Sequence, residues 1–489
     1  MNGMGGMGGM GGEGMPPALT APADVAGAAE ELIAGDGGSP AAYEGLLDAV
    51  VRAAGRDRAA LAAALRPVAQ AWAGVRRPRT LAAERLLAVV RSAAEPPAEP
   101  GPRPEGGDGR PWLETCQHEA VHLVLAERIT ELCAGLRRGV AVPMLLATPS
   151  RADGAVDPRE LVMRLTEYEQ AGVRPGPADL GQALLRCGGG PADTEVVGAA
   201  AELTLPEGPR IAAWLGRGGL PQPEPAVERE PGAPQPPSRR RGARVGRRIL
   251  VGTAALDGRG DFPRTFWPLF RRFEPLIGCN HLLLGHRERH AAAALPWHPE
   301  IVAARLLTEV AAAADQGGSG GPEFLPALAQ SPGPAGPAVH LALAYGLGAA
   351  QEPDRAAAAG ALLTLAGRDR LDGALLGGEL ARLLLLGTLK PAAVTESLRL
   401  AAQPPGGGRA VWAVLAAALP ELLSAVRSGA LPRLHGPLLA LAAHCAGACG
   451  ARGPLPGLDA LAGQPGSSQP VREARRLRNT LAGAGVACE

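Results

Sequence analysis

The chain has 489 residues, enough for two or three domains or one long repeat array. Apolar residues make up 46% of it, yet only six are Trp, three Tyr and five Phe. Ala and Leu favour helix, and the residues that favour strands are scarce, so an all-α protein is expected. A formal net charge of +1 excludes a global field that would steer the chain onto nucleic acid or an anionic membrane.

The seven cysteines, at 116, 133, 187, 279, 445, 449 and 488, include no CxxC pair, which fits buried thiols in a reducing cytoplasm better than a disulfide framework. No uninterrupted apolar run reaches the roughly 18–20 residues of a membrane span.

Residues 1–22 read as a disordered Gly/Met tail without the basic start and apolar core of a signal peptide. Residues 23–93 read as an N-terminal block of short helices, with Leu46, Leu47, Val50 and Val51 on one, Leu61, Leu65 and Val68 on the next, and Leu81, Leu86, Leu87 and Val90 on a third. Residues 94–110, rich in Pro, Gly and Glu, form a linker. Residues 111–219 make a middle block led by a helix from about Leu113 to Arg138, followed by the apolar piece VPMLLATPS and a helix opened by Asp157-Pro158. Residues 220–247 are a Pro-rich, then Arg-rich linker, and Ile249–Thr253 is the one plausible strand.

Residues 248–485 form the C-terminal repeat domain. From Ala335 to Leu481 apolar residues recur at three- and four-residue spacing in segment after segment, several opened by proline (Pro353, Pro391, Pro432, Pro470). Helices of roughly 10–18 residues separated by short Gly/Pro turns give pairs of roughly 35–45 residues, the period of a HEAT- or armadillo-like α-solenoid.

The segments PGPADLGQALLR (175–186), AAWLGRGGLP (212–221), LPWHPEIVAARLL (295–307), GPAVHLALAYGLGA (336–349) and LDGALLGGELARLLLLGTLKP (371–391), with the ending VREARRLR (471–478), carry a resemblance. Together they look like a large, uncharacterised actinobacterial family with HEAT-like helical repeats. The resemblance implies no catalytic residue. It implies a place in a multi-protein system, because genes of that family lie near those of a SWIM zinc-finger protein and AAA ATPases.

Three patterns bear on chemistry. His118-Glu119-Ala120-Val121-His122 is a literal HExxH, whose two histidines lie one helical turn apart and can share a zinc ion, with Glu119 as general base. Against it, Leu125 and Arg128 stand where an extended motif needs Gly and the third His. Cys279, His281, His286 and His290 are a second set of zinc-type ligands, at a spacing no standard finger has. The run Arg239, Arg240, Arg241, Arg244, Arg247, Arg248 can grip phosphates, but no aromatic residues interleave it. His444, Cys445 and Cys449 read as core residues. The cluster Phe262, Phe266, Trp267, Phe270, Phe273 is expected to cap the start of the C-terminal array or to anchor a partner. No Walker A segment, dinucleotide fingerprint or nucleophile elbow is present.

The expectation is therefore a cytoplasmic, non-enzymatic scaffold that binds other proteins, with no cofactor, no membrane, and Arg239, Arg240, Arg241, Phe266, Trp267 and Trp297 as contact residues. A zinc hydrolase using His118, Glu119 and His122, and a nucleic-acid module using Arg239–Arg248, are the alternatives.

Overall fold

The computed structural model describes residues 19–35, 37–74, 78, 80–95, 120–229, 248–274, 290–315, 324–428 and 435–483. They are mostly helical, as the Ala/Leu composition requires. Two compact units share the chain. The first takes its described residues from Met1–Gln222, Leu256–Phe270 and Gly285–Trp297, the second from Pro223–Ala255, Arg271–Leu284 and His298–Glu489.

The first unit contains α1 (Pro22–Ala34), α2 (Pro40–Ala71), α3 (Leu81–Ala94), α4 (Ala120–Arg137), α5 (Pro158–Gln170), α6 (Pro177–Arg186), α7 (Thr194–Glu202), α8 (Gly208–Gly216), α9 (Trp267–Phe270) and α10 (Ala291–Ala294). The two helices expected around Leu46 and Leu61 run on as α2, broken at Asp57 (φ −151°, ψ 89°), whose carboxylate caps the second half by accepting from the Ala60 amide at 2.9 Å. Val25, Ile33, Leu46, Leu47, Leu61, Leu86, Val90, Leu132 and Leu136 form one apolar core among α1 to α4. Each such fully buried Leu contributes about 1.5–3 kcal/mol. Because α3 packs on α4, the expected N-terminal and middle blocks are one body.

The second unit begins with a two-stranded antiparallel ribbon, β1 (Pro225–Arg229) on β2 (Leu250–Thr253). β2 lies within the expected strand, whereas β1 falls in a stretch that Pro and Glu made read as linker. Then come α11 (Pro299–Asp315), α12 (Leu325–Gln330), α13 (Pro337–Leu347), α14 (Glu352–Gly367), α15 (Gly373–Leu385), α16 (Pro391–Ala402), α17 (Gly407–Ser428), α18 (Gly436–Ala448), α19 (Leu458–Ala462) and α20 (Gln469–Leu481). Pro353, Pro391 and Pro470 sit in the first turn of their helices, where a missing N–H has no partner to lose. The helix expected from Pro432 starts at Gly436, and residue 432 lies outside the described residues.

Alternate helices in this unit pack on each other, alongside neighbours in the chain such as α13 with α14, α16 with α17, α17 with α18 and α19 with α20. α11 packs on α13, α13 on α15, α15 on α17 and α17 on α19, while α12 packs on α14, α14 on α16, α16 on α18 and α18 on α20. Small residues set the spacing: a Cβ on Gly377 of α15 would run into the Val414 carbonyl and the Ala417 side chain of α17. α17 alone among the described helices has the length and mean hydropathy (1.5 over 18 residues) of a membrane span, a property its interrupting Arg409, Pro420 and Glu421 hide from a search for unbroken apolar runs. Half of that window is buried against neighbouring helices of the unit.

Candidate functional site

In the HExxH motif, His118 and Glu119 lie outside the described residues, and α4 starts at Ala120. The Nδ1 atom of His122 is 3.0 Å from Arg85 Nη2. A guanidinium only donates, so Nδ1 accepts and a neutral ring carries its proton on Nε2. That arrangement, with a cation already on the ring, works against His122 as a zinc ligand.

Cys279, His281 and His286 also lie outside the described residues. Their expected companion His290 is buried against the Tyr43 ring, at a centroid distance of 4.7 Å, and donates from Nε2 to the Gly38 carbonyl at 3.1 Å. Among the described residues no three His, Cys, Asp or Glu side chains group as metal ligands. Arg239, Arg240, Arg241, Arg244 and Arg247 lie outside the described residues too, and Arg248 is buried. Cys445 is buried, its thiol pushed up to about 11 by that burial, while Cys449 is half-exposed and His444 exposed.

The aromatic contact residues fare unequally. Phe266 is fully buried, which removes it as a contact residue; it packs over Gly181 and stacks on Phe262. Phe262 also meets Trp214 edge-on at 5.1 Å and Phe270 at 4.9 Å. These rings belong to the first unit, not to the start of the C-terminal array. Phe273 belongs to the second, where it bridges Thr253 and lies 4.6 Å under the Arg305 guanidinium. Trp297 covers Gly188 and Gly189 and donates to the Arg186 carbonyl at 3.1 Å, so its half-buried ring serves the fold. Trp267 remains half-exposed.

The most densely bonded polar region is one that no motif announced. The segment VPMLLATPS threads the first unit as irregular backbone with a turn at Leu146-Ala147, and Met144, Leu145, Leu146 and Ala147 are buried. Buried backbone outside helix and sheet needs other partners, and side chains supply them. The Leu145 amide donates to Asp48 at 2.8 Å, and the Leu146 amide to Asp179 at 2.6 Å. The Met144 carbonyl accepts from Tyr168 at 2.5 Å and the Leu146 carbonyl from Arg164 at 2.9 Å, while Arg186 holds the Ala147 carbonyl.

These side chains are themselves wired together. Glu44 of α2 pairs with Arg128 at 2.6 Å and Arg186 at 2.7 Å, and Arg128 also pairs with Asp179 at 2.8 Å. Burial alone would push the Glu44 carboxyl up, but the two guanidiniums outweigh it and hold the group down at about 2. Arg186 is lowered by burial, which its single carboxylate does not offset; Arg128 is raised, because two carboxylates outweigh the same cost. The Tyr168 hydroxyl is pushed up by burial and neighbouring carboxylates. Two cations and two anions thus close on each other and on backbone groups. No spacing in the sequence spells this out; a charged residue at a helical core position was the available signal.

Two open surfaces stand out among the described residues of the first unit. A groove of about 880 Å³ is lined by Leu19, Asp48, Arg52, Arg56, Val142 and Val173, among others. Its Arg52 is engaged by Asp48 at 2.6 Å and by the Met144 sulfur, and Arg56 donates to the Arg52 carbonyl. The other is the turn from Gly258 to Trp267. Phe262 and Phe266 root it in the aromatic cluster, and Arg217 ties it down by pairing with Asp261 at 3.0 Å while lying 4.6 Å over the Trp214 ring. Gly258 turns the chain there at φ +96°, a conformation suited to glycine. On top, the guanidiniums of Arg259 and Arg264 lie 5.3 and 5.8 Å over the Trp267 ring.

Comparison with known proteins is brief. A family model described as a domain of unknown function, DUF7824, matches residues 40–203, a stretch that contains Glu44, Asp48, Arg128, Arg164, Tyr168, Asp179 and Arg186. No curated protein and no solved structure matches the chain.

Proposed function

We propose that this chain is a non-enzymatic scaffold or adaptor of the cytoplasm that binds other proteins, and that its second unit is a HEAT-like α-solenoid. The observation that carries the reading is the skip-one packing of α11 to α20, in which alternate helices form two rows. Helix pairs stacked in this way expose an extended outer face from each row, and such faces bind partners by surface complementarity. The chemistry of the first unit supports the same reading. Its buried carboxylates and guanidiniums are engaged with each other and with backbone, Arg128 Nη2 excepted, which is buried with no hydrogen-bond partner among the described residues.

The test places a photo-crosslinking residue at exposed positions on both rows: Ala356 of α14, Arg399 of α16, and Glu421 and Arg427 of α17. In cells that make the protein, discrete crosslinked partners from neighbouring positions of one row are expected. Absence of any discrete partner at all four positions overturns the scaffold reading.

A further inference from the structure

We infer that the turn from Gly258 to Trp267 is a docking surface for an acidic segment of a partner protein. This rests on the scaffold reading and adds to it the chemistry of what is bound.

Arg259 and Arg264 are exposed, and both guanidiniums lie over the half-exposed Trp267 ring. Among the described residues neither has a carboxylate partner. Arg217 stands beside them, neutralised by Asp261. The turn therefore presents two exposed guanidiniums with no ion-pair partner among the described residues, both near one ring, with the exposed Asp257 just before the turn. Two Arg side chains beside one Trp make a strong anchor: aromatic and Arg side chains dominate binding energy at interfaces, and a guanidinium presents a planar fork that matches a carboxylate.

The turn is also held ready. Phe262 and Phe266 are buried in the aromatic cluster, the Trp267 indole donates to the Phe262 carbonyl at 3.2 Å, and the Arg217–Asp261 pair ties the turn to α8. Little conformational freedom remains to be lost when a partner docks, which favours affinity.

Charge complementarity selects an anion, and the arrangement selects its kind. Two guanidiniums at 5.3 and 5.8 Å from the Trp267 centroid compete with a nucleobase for that ring, so single-stranded nucleic acid is disfavoured. Carboxylates spaced along an extended chain match two guanidiniums placed over one ring, and Trp267 supplies apolar contact beneath them. The occupant is a segment rich in Glu or Asp.

The experiment uses the full chain and a fluorescein-labelled peptide of alternating Glu and Ser, read by anisotropy at low salt. Saturable binding that weakens as salt rises is expected. The Arg259→Ala/Arg264→Ala double variant should lose at least about tenfold in affinity, in keeping with two lost charge-assisted contacts. Arg472→Ala/Arg476→Ala, an equal loss of charge on exposed α20, should change it less than about twofold if the binding is local. Trp267→Phe should weaken binding while leaving the helical circular dichroism unchanged. Three results overturn the inference: no saturable binding, equal loss in both double variants, or tighter binding of a 20-nucleotide oligothymidylate through the same two arginines. Failure of the peptide with crosslinked partners still formed on α14 to α17 removes this surface alone; failure of both removes the scaffold reading as well.

Discussion

Each unit contains a helix that begins Gly-Pro-Ala and is capped by a half-buried glutamate from the helix two places before it. In the first unit Glu131 of α4 accepts from the Ala178 and Asp179 amides of α6; in the second Glu300 of α11 accepts from the Gly336, Ala338 and Val339 amides of α13. Beyond the cap the two helices diverge. Counting from the glycine, Asp179, Gln182 and Arg186 of α6 stand where α13 has Val339, Ala342 and Gly346. The difference follows from what each helix packs against. α6 faces the non-helical segment 144–148, whose amides and carbonyls need partners; α13 lies among α11, α12, α14, α15 and α16, which satisfy their own backbones, and its residues Ala338 to Leu347 are buried on every side. In the first unit buried charge thus accompanies a non-helical segment routed through the interior; the second unit also buries charged side chains, Arg305, Asp354, Arg355 and Glu379, but on its helices.

The largest test of that contrast is Glu44→Gln. It leaves Arg128 and Arg186 short of their shared carboxylate in full burial, and breaking a buried pair of this kind costs about 3–5 kcal/mol. Hydrogen exchange read by mass spectrometry should show protection falling in α2, α4, α6 and residues 144–148 while α14 to α18 keep theirs. Uniform loss across both units would mean the spine supports the whole chain and the contrast is false.

Acid should separate the units in a set order. Glu44 has a folded value near 2, below its ordinary 4.5, so its contribution is fully present above pH 4.5 and is lost as the pH falls toward 2. In the second unit, the buried His340 donates from Nδ1 to the Gly336 carbonyl and accepts the Asp372 amide at Nε2, at 2.8 and 2.9 Å. Burial lowers its pKa below the ordinary 6.5, against the pull of the Gly336 carbonyl, so the unfolded chain binds the proton first and stability is lost as pH falls below 6.5. Exchange around α13 should therefore rise as the pH falls below 6.5, before any acid-induced change in α6. His340→Gln should flatten the rise around α13; a simultaneous rise in both units would break the prediction.

Removing the shared device should affect both units alike. Glu131→Ala and Glu300→Ala each strip amide partners from a helix N-terminus, and losing such a cap costs about 1–2 kcal/mol. Burial raises the pKa of both glutamates, against their amide partners, so these two carboxylates tend to offset the acid sensitivity set by Glu44 and His340. Urea denaturation followed by exchange in each unit checks the symmetry. A much larger cost at Glu131 would show that the cap is part of the ionic spine.

How much of this was legible follows the same division. Leucine stripes and first-turn prolines made α14, α15, α16 and α20 readable, because their backbones are satisfied internally and their neighbours are apolar. Strand β1 was hidden because prolines at 221, 223 and 225 read as linker. The spine was hidden because Glu44, Arg128, Asp179 and Arg186 come from distant parts of the chain and no fixed spacing relates them. The HExxH spacing points to His122, while Arg128 on the same helix, standing where a third zinc ligand would be, is the residue that joins two carboxylates. Phe266 was misplaced for a related reason: an aromatic cluster shows apolar character but not which of its rings face water.

The smallest expected effect refines the rule that polar residues on α6 answer to backbone. Gln182 lies on the same face as Asp179 and Arg186 and is fully buried, yet neither amide atom has a hydrogen-bond partner among the described residues. If buried polarity here serves only residues 144–148, Gln182 contributes nothing and carries the cost of leaving an amide unsatisfied, about 1–3 kcal/mol. Gln182→Met, close in volume and free of that cost, should then stabilise the first unit by about 1 kcal/mol in urea denaturation. Its counterpart position in the second unit, Ala342, is already apolar and buried. Destabilisation by Gln182→Met would instead place Gln182 within the spine, as a polar group the ionic network requires.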